Sequence, residues 1–169
     1  MVELFGIDKP IEKIRADLES NLLKWGNIKI YGRCYKNLNN EGRYEPKVYK
    51  GNNEYQEPFL NDRNLIAYFI DSDNHTTKND IMFTTEVRLV FVADLSKLFQ
   101  DRKDSYIHSF IRNLLNRNSR NFFRIDSLEK GYRNVMSGFD LERYKHLDMQ
   151  PYHIFSFTGT MDYYLNINC

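Results

Sequence analysis

The stretch from Ile81 to Ala93 limits the folds open to this chain more than any other. From Phe83 onward, every second residue is apolar apart from one threonine, while the alternate positions carry Glu86 and Arg88 in the middle and valines at the end. A period of two is the signature of a β-strand with two different faces. We therefore expect a central antiparallel strand with one core face and one partly solvated face, and a sheet as the centre of the fold.

Length and composition indicate one soluble domain without a strong overall charge. The 169 residues fit a single domain spanning 1–169, and a net charge of +1 gives no bulk attraction to nucleic acid or an anionic membrane. The chain has no apolar run long enough for a transmembrane helix, so we expect no membrane association. Cys34 and Cys169 are far apart and favour two free thiols in a reducing compartment.

Two helices are predicted. The first covers about 8–25, because Asp8 can cap its amides, Pro10 suits its first turn and apolar residues recur every three or four positions up to Trp25. The second covers about 105–117, with its own apolar stripe.

The remaining elements read mainly as strands. The central strands occupy about 64–93, and a long final strand covers about 153–165, with Gly159 marking a bend, a bulge or the close approach of another backbone. We expect an α+β fold with a mainly antiparallel sheet and two helices packed on one face. Smaller expectations are a hairpin of 28–35 with 44–49, exposed loops at 51–63 and 71–80, strands at 122–128 and 132–139, and a polar excursion at 140–151.

The sequence predicts no catalytic centre. Its histidines stand apart in the sequence, and the spacing indicates no carboxylate partner for a metal site. We therefore expect surface or lightly buried histidine side chains. There is no phosphate-binding loop and no nucleophile elbow, and Cys34 has no nearby histidine. We therefore expect a protein that is not an enzyme, with no catalytic, cofactor-binding or metal-binding residue. The four histidines are His75, His108, His146 and His153.

One enzymatic alternative stays open. Asp71 ends one predicted strand, and Glu86 and Arg88 lie on the next. An Asp facing Glu-x-Lys resembles the core of restriction-type nucleases, whose carboxylates hold a divalent metal, although Arg88 replaces the lysine here. The same residues also fit a cross-strand charge pair on a solvated face. A metal-dependent nucleic-acid enzyme using Asp71 and Glu86 is the alternative reading.

Basic residues crowd the end of the second helix. They fit a non-specific contact with DNA phosphates, a subunit contact, or a helix C-terminus that complements its own dipole. The four residues are Arg112, Arg117, Arg120 and Arg124.

The order of the elements carries a resemblance to a known family. A helix, a hairpin, two central strands ending in Glu86-Val-Arg-Leu-Val-Phe-Val92 and a second helix come first. Val135-Met-Ser-Gly-Phe139 then leads through a polar excursion to the final stretch from Asp148 to Tyr164. Over nearly its whole length the chain resembles the tail-terminator and tail-completion proteins of tailed bacteriophages.

This resemblance implies a structural virion protein. Copies would form a ring, a hexamer or a dodecamer, at the neck or the head-proximal end of the tail, contacting other neck, portal or tail proteins and DNA in the lumen. The protein would be found in the virion, and in the host cytoplasm during assembly, and would need no cofactor. The final strand would supply contacts between subunits. A soluble adaptor protein with the same fold is a further alternative to the virion role. The contact residues expected on that strand are Phe155, Phe157, Tyr163 and Tyr164.

Overall fold

A computed structural model describes residues 5–101 and 103–165, so that Cys169 lies outside the described residues. The helices are α1 (Asp8–Leu22), α2 (Leu95–Leu98), α3 (Asp104–Asn118) and α4 (Tyr132–Val135), with 3-10 helices at Leu23–Trp25 and Leu141–Asp148. The strands are β1 (Ile28–Leu38), β2 (Tyr44–Gly51), β3 (Glu54–Gln56), β4 (Leu65–Asn79), β5 (Met82–Asp94), β6 (Phe123–Lys130) and β7 (Tyr152–Tyr164).

The seven strands form one sheet in the order β3-β2-β1-β4-β5-β7-β6. Every neighbouring pair is antiparallel except β1 and β4, which run parallel. β5 lies between β4 and β7, and it pairs with β7 from Met82 opposite Tyr164 to Asp94 opposite Tyr152. The predicted central antiparallel strand and the α+β class with a mainly antiparallel sheet are confirmed.

One core contains the apolar stripes of α1 and α3. On β5 the alternate residues Val87, Leu89 and Phe91 belong to it. Spacings of three and four along each helix place its apolar side chains on one side, as the sequence predicted. The buried apolar residues of these two helices are Ile11, Ile14, Leu18 and Leu22 of α1 and Ile107, Ile111, Leu114 and Leu115 of α3.

A second core lies on the other face of the sheet, where the residues of opposite parity, such as Val90 and Val92, are buried. Residues 132–148 cover this second core. The predicted strand at 132–139 is wrong, because the segment begins with the helix α4. Most of the polar excursion at 140–151 is a 3-10 helix that packs on the sheet. The pattern contains the reason. Tyr132, Val135, Met136 and Phe139 follow steps of three and one, which is helical spacing. Helical segments therefore contribute to both cores, and two helices on one face describe only part of the architecture.

The predicted loop at 71–80 is also wrong, because β4 continues through it to Asn79. His75 pairs with Thr85 and Thr77 with Phe83 across a ladder that turns at residues 80–81. Most side chains of β4 beyond Ser72 are exposed, so this part of the strand has no apolar alternation from which it could be recognised. We call residues 73–84 the β4–β5 arm.

Smaller differences concern the predicted exposed loop at 51–63. It contains the short edge strand β3, and Leu60 is buried in the second core. Within the described ranges no helix has the length and apolar character needed to cross a membrane.

Candidate functional site

The structure does not bring the predicted nuclease pair together. Asp71 lies directly opposite Val87, which points into the core of α1 and α3. Glu86 is the neighbouring residue on β5, so its side chain points to the other face, where it is exposed. Two carboxylates separated by a sheet cannot hold one metal ion, and this alternative fails on geometry.

Asp71 instead belongs to a network that joins four elements. Its Oδ2 lies 3.3 Å from Nε2 of His75 and 3.5 Å from a guanidinium nitrogen of Arg33. His75 Nδ1 is 2.8 Å from the hydroxyl oxygen of Tyr163, and Arg33 also donates a 3.3 Å hydrogen bond to Asp8. These bonds hold β1, β4, β7 and the start of α1 in place, which is a structural task.

The four arginines do not form one cluster. Arg112, Arg117 and Arg120 are exposed on α3 and the turn after it. Arg124 lies on β6 opposite Thr160, which in turn lies opposite Glu86, so it is on the face away from α3. There it donates a 2.7 Å hydrogen bond to Asp162, and this bond holds the pKa of Asp162 at about 2.

The predicted inter-subunit strand is largely interior. Phe155 and Phe157 are fully buried, and β7 is paired by β5 on one side and by β6 on the other. These two side chains cannot contact a neighbouring subunit without opening the core, so their prediction is wrong. Tyr163 is buried against His75, and Tyr164 alone of the four is exposed.

The arrangement closest to a chemical site is one that sequence reasoning missed. Nε2 of His108 on α3 and Nε2 of His153 on β7 lie 2.8 Å apart. Oδ2 of Asp104 lies 3.9 Å from the same atom of His153, and the ligand atoms of all three residues fall within 4.8 Å of one another. The expectation that no histidine has a carboxylate at ligand spacing is wrong, because Asp104 and His108 are four residues apart on one helix and share a face.

Burial sets the charge of this histidine pair. It lowers the pKa of His108 to about 4, with a further contribution from His153, and it also lowers the pKa of His153 against the opposing charge of Asp104. Burial by itself would raise the pKa of Asp104. The hydrogen bond from Lys130 and the positive charge of Lys130 outweigh this effect, so the pKa of Asp104 is lowered. At neutral pH both rings are therefore uncharged, and one Nε2 donates to the other. Two neutral imidazoles and a carboxylate are ligands that divalent transition metals accept.

Two different surfaces lie at the ends of the sheet. At one end Tyr35, Tyr49 and Tyr55 are exposed. The ring of Tyr35 meets that of Tyr55 edge-on and the ring of Tyr49 meets it at a tilt, with centroids 5.8 and 5.4 Å apart. We call these residues the tyrosine patch. At the other end β6 is an edge strand that carries the exposed Leu128 and is interrupted by a bulge between Ile125 and Ser127.

The comparisons with known proteins assign no family. No protein-family model matches the sequence, and no curated protein is significantly similar to it.

Proposed function

We propose that this protein is a non-enzymatic structural component of a tailed bacteriophage, a subunit of a ring at the neck or the head-proximal end of the tail. The resemblance in the order of elements suggests the role. The observation that supports it most is the presence of two unlike exposed surfaces at opposite ends of one sheet. A ring closed by rotation needs such a pair, because each subunit offers one surface to the neighbour on its left and the other to the neighbour on its right.

The spacing of these surfaces suits that geometry. The tyrosine patch spans β1, β2 and β3, which are four to six steps of about 4.8 Å from β6, so the patch and the β6 edge lie roughly 20–30 Å apart. The exposed tyrosines supply apolar area together with hydroxyl groups, a combination enriched in protein interfaces. The backbone of β6 supplies unpaired hydrogen-bonding groups to any strand laid beside it.

The β4–β5 arm offers a further contact. It extends β4 and β5 alongside the end of β7, with Ile81 exposed at its tip beside the exposed Leu165, whose amide donates to the carbonyl of Ile81. Ring subunits reach neighbouring proteins by such extensions. In this proposal the arm contacts neck, portal or tail proteins stacked above or below the ring.

Of the four arginines predicted to contact DNA, three remain candidates. Arg112, Arg117 and Arg120 are each exposed on α3 or just after it, whereas Arg124 is held by Asp162. We also infer that α1 and α3 pack side by side on one face of the sheet, since their stripes join one core and Asn118 donates two hydrogen bonds to Asp17. This layer would then line the lumen.

Light scattering behind a sizing column, at several protein concentrations and with negative-stain images, tests the ring. We expect a hexamer or dodecamer for the wild type, and a folded monomer for the double variant Tyr49→Glu, Tyr55→Glu. Leu23→Glu is the control, because Leu23 is more exposed than either tyrosine but lies in the 3-10 helix after α1, outside the tyrosine patch.

Two outcomes would contradict the proposal. A monomer at every concentration up to the millimolar range favours the soluble adaptor. Rings that tolerate the tyrosine substitutions but not Leu23→Glu would move the interface to the helical side.

A further inference from the structure

We propose that Asp104, His108 and His153 form a binding site for one divalent transition-metal ion, best suited to Zn²⁺, that ties α3 to β7. Zn²⁺ is held by imidazole nitrogen at about 2.0–2.1 Å and by carboxylate oxygen at similar distances, commonly with three protein ligands and a fourth open position. Two imidazoles and one carboxylate whose ligand atoms lie within 4.8 Å match that set. The inference does not depend on the proposed function.

The geometry needs only a small adjustment to accept an ion. Two nitrogens bound to one tetrahedral Zn²⁺ are roughly 3.3 Å apart, given bonds of about 2.0 Å. The Nε2 atoms of His108 and His153 are 2.8 Å apart, so they must separate by about half an ångström. The two Nε2 atoms are already the ring nitrogens that approach each other, so neither imidazole has to turn over to offer the same ligand atom. Asp104 Oδ2 lies 3.9 Å from His153 Nε2, so its carboxylate closes the third side.

The surroundings favour fixed ligands. His108 is 8% exposed, and the ring of Phe155 contacts both imidazoles, with centroids 4.6 Å from His108 and 5.3 Å from His153. Rings held this way lose little conformational freedom when they bind an ion, and an apolar wall strengthens charge interactions inside the site. Asp104 is half-buried and leaves a route to solvent.

One neighbour opposes the metal, and it provides a sharp test. The ammonium of Lys130 on β6 lies 3.2 Å from Asp104 Oδ2, where it competes with a cation for the carboxylate. Replacement by an uncharged residue of similar length removes the competitor and leaves the three ligands in place. Lys130→Met is therefore expected to raise the affinity for Zn²⁺ several-fold, an effect that a hydrogen-bonded histidine pair alone does not produce.

The experiment uses the full-length protein, freed of metal with a chelator and titrated with Zn²⁺ by calorimetry, and with Co²⁺ by visible absorption. We expect one ion per chain and a melting temperature that rises with Zn²⁺. His108→Gln and His153→Gln should each weaken binding at least about tenfold, since loss of even an outer-shell partner of a metal ligand typically costs that much. Asp104→Asn should weaken it in the same direction.

His146→Gln is the matched control, since His146 is exposed on the 3-10 helix and should leave binding unchanged. If His108→Gln does not fold, as judged by circular dichroism, the half-buried Asp104→Asn and the exposed Lys130→Met decide the question. Two results would overturn the site and leave a hydrogen-bonded histidine pair only. The first is the absence of stoichiometric Zn²⁺ binding. The second is binding that His146→Gln abolishes but His153→Gln leaves intact.

Discussion

Gly159 of β7 lies directly beneath the backbone of Arg124 on β6. A Cβ atom built at Gly159 would be 2.8 Å from the carbonyl carbon of Arg124 and 3.0 Å from Cα of Ile125. The bulge of β6 between Ile125 and Ser127 causes this approach, because it bends the edge strand across its partner. Of the three explanations that the sequence allowed for this glycine, the close approach of another backbone is confirmed.

Gly159→Ala should therefore loosen β6. Since the obstructing atoms are backbone, they cannot rotate away, and we expect destabilisation of about 1–3 kcal/mol. Denaturant unfolding measures this loss, and hydrogen exchange should show reduced protection of β6. Gly42→Ala, in a hairpin turn, is the control, because nothing lies within 4 Å of the added Cβ. Its φ of +76° is unfavourable for alanine, so this variant loses stability through backbone strain alone. Equal protection of β6 in wild type and Gly159→Ala would contradict the close approach.

Cys34 should be inert in the folded protein. It is buried in the second core, and burial raises the pKa of its thiol to about 12, so almost no thiolate exists at neutral pH. In a Cys169→Ser background, which leaves one thiol, we expect labelling by iodoacetamide only after denaturation. Rapid stoichiometric labelling of the native protein, followed by mass spectrometry, would show that the second core opens at this position.

Asp162 should make stability depend on acid pH. Its pKa is held at about 2 by Arg124 and Thr84, below the ordinary value of 3.8. A carboxyl with a lowered folded-state pKa contributes stability that is complete above 3.8 and is lost as the pH falls towards 2. Because Arg124 is partly exposed, we expect a contribution of about 1 kcal/mol.

The measurement for Asp162 is urea unfolding of wild type and Asp162→Asn at several pH values. The difference in unfolding free energy should be largest above pH 4 and should shrink towards pH 2. Asp73→Asn is a matched control, since its ion pair with Lys36 is solvent-exposed and should contribute little. A difference between wild type and Asp162→Asn that stays constant over this range would show that packing, not charge, is what Asp162 provides.

Two tyrosines should respond oppositely to loss of their hydroxyl groups. The hydroxyl of Tyr144 is buried, and among the described residues it has no hydrogen-bond partner, whereas the hydroxyl of Tyr163 is 2.8 Å from His75. Tyr144→Phe should therefore be neutral or stabilising, and Tyr163→Phe should cost about 1 kcal/mol. Thermal unfolding of both variants gives the comparison, and equal losses would show that Tyr144 does have a partner.

Elements with a regular apolar period were predictable from the sequence. The stripes of α1 and α3 and the period of two along β5 and β7 identify helices and strands, so these elements were found close to their observed bounds, although β5 and β7 bury residues on both faces. The β4 side of the β4–β5 arm was not found because exposed strands have no such alternation. The helical spacing of residues 132–139 was present in the sequence but was read as a strand.

What only the tertiary structure decided is which residues meet across the sheet. Side-chain parity along β5 places Glu86 on the face opposite Asp71, a relation that depends on strand register and not on spacing along the chain. Register and sheet order likewise placed Phe155 and Phe157 inside the core. His153 reaches His108 only because β7 passes beneath α3, although the helical step from Asp104 to His108 was visible in the sequence. Local periodicity determines elements and faces, whereas the contacts that define a site come from long-range pairing.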